Sequence, residues 1–286
     1  MIEVVEVGGS VLVEDLGRPG WSHLGVSPSG AADRGALVAA NRALGNPVGA
    51  AALEVTGAAT FRVDADLVIA LSGARVEVAL DGTPTRASVL AAPAGTVVSL
   101  SAPRWGLRSY LAVAGGLDVA PVLGSRSTDV LSGLGPAPLQ PGDRVAVLPA
   151  AAGLPTRERD EARPPSGALV MLDASTGPRA DWLADAGELY ARPWQISALA
   201  DRVGTRLEGE PLERSMTAEL PSEGVLTGSV QVPPSGLPVI LGPDHPVTGG
   251  YPVVAVLTAT ASDVLAQLRA GTTVRFRRAG ASLVRR

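Results

Sequence analysis

Arg18 and Ser29 belong to a polar segment, residues 15–33, whose composition suits the binding of an anion. Arg18 lies in a turn rich in glycine and proline, where its guanidinium and neighbouring backbone amides can bind a carboxylate or a phosphate. Ser29 immediately precedes a predicted helix, and helix N-termini attract anions. The alternative is structural: a capped helix after a turn, with Arg18 paired to Asp15 or Asp33.

A second polar cluster, Ser125 to Asp129, follows directly after Gly124. Hydroxyls, the guanidinium of Arg126 and a carboxylate occupy five consecutive positions there. This combination of donors and acceptors is suited to an oxygen-rich ligand. The alternative is a turn at the end of a strand whose polar groups satisfy one another.

Glu219 and Glu223 form a third cluster, four residues apart around Pro221. Two carboxylates can work as a general acid and a general base if the loop brings them together. The alternative is that they cap neighbouring turns.

The fourth cluster is a glycine-rich loop that carries Asp244, His245, Thr248 and Tyr251. It predicts a binding loop. A catalytic triad that uses Ser235 is disfavoured, because no strand-elbow-helix pattern surrounds that serine and an aspartate adjacent to the histidine is poorly placed to orient it.

The composition excludes several classes of function. The chain has no cysteine, and all 24 basic residues are arginine. A thiolate nucleophile, a standard P-loop, Schiff-base chemistry and a biotin or lipoyl attachment site are therefore impossible. A net charge of −4 and an aromatic content of 3% argue against a nucleic-acid partner. Two histidines make a multi-histidine metal site improbable, and we assign no metal ligand set. No apolar run is long enough to span a bilayer, and the acidic N-terminus lacks a signal pattern, so we expect a cytoplasmic protein.

The elements that position these clusters are mostly strands. β-Branched runs at 67–71 and 75–80 end at Asp81-Gly82, a strong hairpin signal. Further strands are predicted where similar runs recur, at 96–101, 109–113, 144–148, 168–173, 239–241, 253–258 and 273–277. The sequence therefore predicts a mainly-β chain.

Three helices are predicted. The first is the alanine-rich segment 31–44, capped by Ser29 or Gly30 and ending at Gly45. The others are a short helix at 179–186 and a helix at 262–269 with Ser262 as its cap.

Two features predict two lobes. Val26-Ser27-Pro28-Ser29-Gly30 returns as Val232-Pro233-Pro234-Ser235-Gly236, which suggests two related halves. The charged segment 156–165, closed by two prolines, is predicted to be a linker. We assign an N-terminal lobe at 1–150 and a C-terminal lobe at 166–286.

Six stretches in this order give the chain a family resemblance: DLGRPGWSHLGVSPSGAADR, YLAVAGGLDVAPVLGSRSTD, DRVGTRLEG, ELPSEGV, QVPPSGLPVIL and TGGYPVVAVL. Together they resemble the biotin-dependent carboxyltransferase family. That family includes components of bacterial 5-oxoprolinase and the carboxyltransferase module of urea carboxylase. The resemblance covers nearly the whole chain.

The resemblance implies a fold, an activity and partners. It implies two cyclophilin-like β-barrel lobes with a few short helices. It implies the third component, the C-type subunit, of an ATP-dependent 5-oxoprolinase-type hydrolase that converts 5-oxo-L-proline to L-glutamate. ATP with Mg²⁺ would act at the level of the complex, and the partners would be a cyclophilin-fold protein, the B-type subunit, together with the A-type subunit.

On this interpretation the clusters acquire hypothetical roles. The guanidinium groups of Arg18, Arg126 and Arg202 would hold a carboxylate or phosphates. Ligand contacts would also come from hydroxyl-bearing residues, namely Ser29, Ser125, Ser235, Thr248 and Tyr251. Carboxylates would serve as the acid, the base or a magnesium ligand, namely Asp33, Glu219 and Asp244.

Two other functions remain open. The first is a carboxyltransferase component that acts on urea or a related small amide, with biotin carried by a partner. The second is a non-catalytic regulator that binds a kinase inhibitor similar to the B-type subunit.

Overall fold

The chain forms two compact units in a computed structural model, which describes residues 1–150 and 169–280. The first unit combines Met1–Pro19 with residues 29–150, and the second combines Gly20–Pro28 with residues 169–280. The short segment Gly20–Pro28 therefore belongs by its contacts to the second unit, although the predicted N-terminal lobe included it. The predicted linker at 156–165 lies outside the described residues.

Twelve strands and one helix, α1 (Arg34–Ala43), build the first unit. The strands are β1 (Ile2–Val7), β2 (Ser10–Glu14), β3 (Ala52–Thr56), β4 (Ala59–Val63), β5 (Leu67–Arg75), β6 (Val78–Leu80), β7 (Thr83–Thr85), β8 (Val89–Ala92), β9 (Val97–Leu100), β10 (Trp105–Val113), β11 (Leu117–Asp118) and β12 (Arg144–Val147). They form a seven-stranded sheet of order β11-β12-β1-β4-β9-β6-β7 and a five-stranded sheet of order β2-β3-β10-β5-β8.

The core of the first unit lies between these two sheets. One apolar cluster contains Val4 and Phe61 from the seven-stranded sheet with Leu53, Ile69 and Leu111 from the five-stranded sheet. The opposite face of the five-stranded sheet packs against α1. Strands of this sheet are therefore buried on both faces, which explains their continuous apolar runs.

The second unit is built around a closed barrel of order β13-β20-β17-β18-β15-β14-β21. The strands of the second unit are β13 (Leu169–Thr176), β14 (Trp194–Ala200), β15 (Gly204–Glu208), β16 (Glu223–Gly224), β17 (Ser229–Gln231), β18 (Val239–Leu241), β19 (Thr248–Gly249), β20 (Val253–Leu257) and β21 (Thr273–Arg278). Strands β16 and β19 form a separate two-stranded sheet. Two helices, α2 (Glu188–Ala191) and α3 (Ala259–Ala266), accompany the barrel, and its interior is apolar.

The mainly-β prediction is confirmed, and so is the Asp-Gly hairpin. Strands β6 and β7 pair across a two-residue loop formed by Asp81 and Gly82, whose φ angles are 47° and 77°. Positive φ at both positions is the geometry that a hairpin turn matching the strand twist requires. The predicted strand at 75–80 is wrong in its start, because β5 continues to Arg75 and β6 begins only at Val78. The strand predicted at 239–241 has its predicted bounds as β18, and the other predicted strands are present with shifted ends.

The predicted helix boundaries need correction. Helix α1 begins at Arg34, and its cap is Asp33, whose carboxylate accepts the amide of Ala36 at 2.8 Å. Ser29 and Gly30 cannot cap it because both adopt positive φ angles several residues earlier. The helix predicted at 262–269 begins instead at Ala259 and is capped by Thr258.

The helix predicted at 179–186 is wrong. This segment contains only a 3₁₀ turn at Ala180–Trp182, and the short helix α2 begins after Gly187. None of the helices in the described part of the chain has the length and apolarity that crossing a bilayer requires.

Candidate functional site

Asp15 joins the first two predicted clusters within the first unit. Its carboxylate accepts the hydroxyls of Ser125 at 2.6 Å and Ser127 at 2.7 Å. It also accepts the backbone amides of Arg126 and Gly17, each at 2.7 Å. We call residues 125–129 the serine–arginine loop. Asp15 holds this loop in place, and the buried hydroxyl of Ser125 is committed to that support.

Arg18 lies beneath the serine–arginine loop and is fully buried. Its guanidinium donates to the carbonyl oxygens of Ser127 and Val122, and it lies 3.9 Å from the carboxylate of Asp129. The alternative of a pair with Asp15 or Asp33 is therefore wrong, since Asp129 is its ion-pair partner. These contacts give Arg18 a supporting role, and its binding of a ligand stays a prediction.

Arg126 carries the guanidinium of the serine–arginine loop itself. Within residues 1–150 and 169–280 its side chain makes no hydrogen bond or ion pair, although its Nε is buried. Close by in sequence, Thr128 is 2% exposed, and its hydroxyl also has no hydrogen-bond partner among the described residues. A buried polar group without a partner costs about 1–3 kcal/mol. Each of these groups is of a type that binds an oxygen-rich anion, so the serine–arginine loop is the candidate site.

Two strained residues contact or flank this loop. Leu123 has a φ of 53° in the tight turn closed by Val122 and Ser125. Ser29 has a φ of 50°, and its hydroxyl donates to the carbonyl oxygen of Thr128 at 3.1 Å. Non-glycine residues with such φ angles cost about 1–3 kcal/mol and cluster at functional sites. The strain supports the assignment of this loop.

A buried network under α1 was missed by the sequence reasoning. Glu54 accepts the hydroxyl of Tyr110 at 2.7 Å and the amide of Ala32 at 3.0 Å, and it lies 3.3 Å from Arg108. The amide of Asp33 donates to the Tyr110 oxygen at 2.8 Å. Burial, and then the charge of Glu54, raise the pKa of Tyr110 well above its ordinary value, so the phenol stays protonated and donates.

This network fixes the segment that leads from Ser29 to α1. The carboxylate of Asp33, predicted to be catalytic, is engaged in capping the helix. The one feature of the sequence that could have indicated this network was a charged residue, Glu54, inside an apolar strand. Charged residues are rarely fully buried unless they are paired.

In the second unit, Arg202 and Asp244 form a buried ion pair. Both carboxylate oxygens accept from the guanidinium, at 2.8 and 3.0 Å. The Nδ1 of His245 donates to the carbonyl oxygen of Pro246 at 2.7 Å. A triad aspartate would orient the histidine through that nitrogen. The geometry therefore gives the disfavoured triad no support.

The remaining predicted site residues lie on the surface of the second unit. The exposed ones are Glu219, Ser235, Thr248 and Tyr251. The Ser235 hydroxyl accepts the amide of Leu237 at 3.4 Å, whereas the other three side chains make no hydrogen bond or ion pair within the described part of the chain. Their roles stay predictions. Among residues 1–150 and 169–280, no group of three or more histidine, aspartate or glutamate side chains is arranged to hold a metal ion.

Glu223, the partner proposed for Glu219, is paired with Arg179 instead. The guanidinium donates to both carboxylate oxygens, with Nε at 3.1 Å from Oε2. This hydrogen bonding lowers the pKa of Glu223 and raises that of Arg179. Glu223 is therefore ionised at neutral pH and is not a general acid there.

Replacing Arg179 by alanine is expected to raise the pKa of Glu223 toward its ordinary value, because the hydrogen bonds that lower it are lost. A lowered folded-state pKa stabilises the protein at neutral pH, and this contribution is lost as the pH falls through that pKa. A carboxyl NMR titration measures the change, with Arg206→Ala, an exposed arginine elsewhere in the unit, as control. An unchanged Glu223 titration in Arg179→Ala would contradict the pairing.

Comparisons with known proteins are consistent with one another. A family model described as "Carboxyltransferase domain, subdomain A and B" matches residues 24–278. The chain is 38% identical to the C subunit of 5-oxoprolinase from Escherichia coli, over 96% of this chain and 90% of that protein. It is 33% identical to the Haemophilus influenzae protein of the same name, with the same coverage. The structure of urea amidolyase from K. lactis matches with a TM-score of 0.91 and 26% identity, over 96% of this chain and 18% of that chain.

Proposed function

The chain belongs to the carboxyltransferase domain family, and on that premise we propose that it is the C-type subunit of a 5-oxoprolinase-type complex. In this proposal the complex hydrolyses 5-oxo-L-proline to L-glutamate with ATP as co-substrate. The B-type subunit, a cyclophilin-fold protein, and the A-type subunit complete the complex. The observation that carries the proposal is similarity to the C subunit of E. coli 5-oxoprolinase over nearly the full length of both chains.

The serine–arginine loop supports an anionic substrate. 5-Oxoproline carries a carboxylate, and a lactam activated by phosphorylation of its amide oxygen also carries phosphate oxygens. The fork of N–H donors on a guanidinium matches either group with two parallel hydrogen bonds. The guanidinium of Arg126 makes no hydrogen bond or ion pair with the described residues, and Thr128 adds a buried hydroxyl. We assign substrate binding and orientation to these two residues.

The test is an assay of the complex as it exists in the cell. The chain, tagged at its chromosomal locus, is purified from its native host together with its bound partners. We expect release of glutamate from 5-oxoproline that requires ATP and forms one ADP per glutamate. Omitting ATP, or using an untagged strain, provides the controls. Partners that co-purify without any ATP-dependent glutamate release would refute the proposal.

A second candidate is a carboxyltransferase component that acts on urea or a related small amide. The family description and the K. lactis urea amidolyase match favour it. Because this chain has no lysine, biotin would have to be attached to a partner. Detection of a biotinylated partner with streptavidin, and of bicarbonate-dependent carboxylation of urea, would select this function. Binding of a protein similar to the B-type subunit, without turnover of either kind, would select the regulatory role.

A further inference from the structure

A wide cleft lies on the first unit, and neither Arg126 nor Thr128 lines it. Its volume is about 1380 Å³, and it is lined by the segments 71–79, 84–88, 99–101 and 104–105. Ligand pockets for small molecules usually have about 300–1,000 Å³. The cleft is therefore larger than a small metabolite needs, which favours an extended ligand.

The cleft exposes one side of strand β5. Strand β8 pairs with β5 only over Leu67–Ala70, so Ser72–Arg75 has no strand neighbour on that side in the described chain. These four residues span about 10 Å at the usual rise of a strand, and Gly73 in their middle has a φ of 80° where the register with β10 shifts. A strand edge of this kind can accept an added peptide strand through main-chain hydrogen bonds.

The edge of β7, which also lines the cleft, is less suited to the addition of a peptide strand. Strand β7 is the last strand of the seven-stranded sheet, and Pro84 occupies its centre. Proline has no amide hydrogen and protects edge strands from pairing. An added strand would therefore pair with β5.

The charge of the cleft is positive, although the chain has a net charge of −4. Three arginines, Arg75, Arg86 and Arg104, line it against one carboxylate, Glu77. Arg104 pairs with Glu77 at 2.5 Å. The side chains of Arg75 and Arg86 make no hydrogen bond or ion pair within residues 1–150 and 169–280. Two unpaired guanidinium groups beside a strand edge match carboxylates on an extended chain.

We propose that this cleft binds an extended acidic segment of a partner protein, which adds as a strand beside Ser72–Arg75 and pairs its carboxylates with Arg75 and Arg86. The inference does not depend on the reaction that the complex catalyses. The size of the cleft and the open strand edge favour a polypeptide over a compact anion.

The test uses a defined peptide and the full chain. A fluorescein-labelled hexapeptide of alternating glutamate and valine is titrated with the protein, and fluorescence anisotropy gives the dissociation constant. We expect the matching lysine–valine peptide to bind at least about tenfold more weakly, and Arg75→Gln/Arg86→Gln to weaken acidic-peptide binding by at least about tenfold. A peptide N-methylated on the amides of one edge keeps its charge but loses strand pairing, and we expect a loss of similar size. Arg62→Gln/Arg206→Gln, which removes two exposed arginines outside the cleft, should change binding less than about twofold.

The outcomes separate the kinds of ligand. Retained binding in the cleft variant would overturn the proposal, as would equal binding of the N-methylated peptide. Inorganic triphosphate that binds more tightly than the peptide, with the same dependence on Arg75 and Arg86, would identify a phosphate site and would also overturn it.

Discussion

Replacing Arg126 by alanine is expected to lower kcat/KM of the 5-oxoprolinase-type complex by about 100-fold, because charge-assisted hydrogen bonds contribute about 1.5–3 kcal/mol. The free energy of unfolding should not fall and should rise by up to about 1–3 kcal/mol, since the substitution removes a buried Nε that has no hydrogen-bond partner in the described chain. ATP-dependent glutamate release measures the first quantity, and denaturant unfolding measures the second.

Two further variants show why activity is lost in Arg126→Ala. Arg126→Lys keeps the charge but not the planar fork of donors, so it should restore only part of the activity. Arg206→Ala removes an exposed arginine of the second unit and should leave turnover unchanged. Unchanged turnover in Arg126→Ala would remove this residue from the site, and a large fall in stability would show that its role is structural.

The serine–arginine loop could be recognised from its composition, but the hydrogen bonds that hold it in place could not be predicted. Its polar residues follow a glycine, so a binding loop could be read from the sequence alone. Asp15, which holds the loop, lies 110 positions before Ser125. Which distant carboxylate accepts those hydroxyls depends on how the strands of the first unit pair. The spacing of the residues along the sequence does not reveal that pairing.

The buried network around Glu54 shows a second limit of prediction from the sequence. Strand β3 is buried on both faces, so its side chains do not alternate between apolar and polar positions. The alternation that separates a core face from a solvent face is absent in such strands. Glu54 meets Tyr110 because the two residues are opposite each other in the pairing of β3 with β10, and Arg108 lies two residues away on β10.

The predicted start of α3 was wrong for a local reason. Thr258, Thr260 and Ser262 are all acceptable cap residues at two-residue spacing. Strand β20 ends at Leu257, and the first polar residue after it becomes the cap. Predictions from local turn chemistry were correct where the residues strongly favour one conformation, as at Asp81-Gly82. They were wrong where several nearby residues could each serve as the helix cap.

Replacing Asp244 by alanine is expected to lower the free energy of unfolding by about 3–5 kcal/mol, because it leaves the charge of Arg202 buried without its bidentate carboxylate. Both side chains are almost completely buried, with 7% of Arg202 and none of Asp244 exposed. The double variant Arg202→Met/Asp244→Leu removes both charges and should recover most of the loss, since apolar replacement of a buried pair is often neutral. Urea unfolding followed by tryptophan fluorescence measures all of these variants.

The pair of Arg277 and Asp173 is the matched control, because it has the same bidentate geometry, at 2.5 and 2.8 Å, on the surface of the same unit. Its side chains are 61% and 35% exposed, so Asp173→Ala should cost no more than about 1 kcal/mol. Equal losses in the two alanine variants would show that burial does not set the importance of Asp244. If Asp244→Asn instead abolishes turnover of the complex without loss of stability, the carboxylate is catalytic, as the sequence first suggested. A large loss of stability, recovered in the double variant, would establish that Asp244 serves the fold.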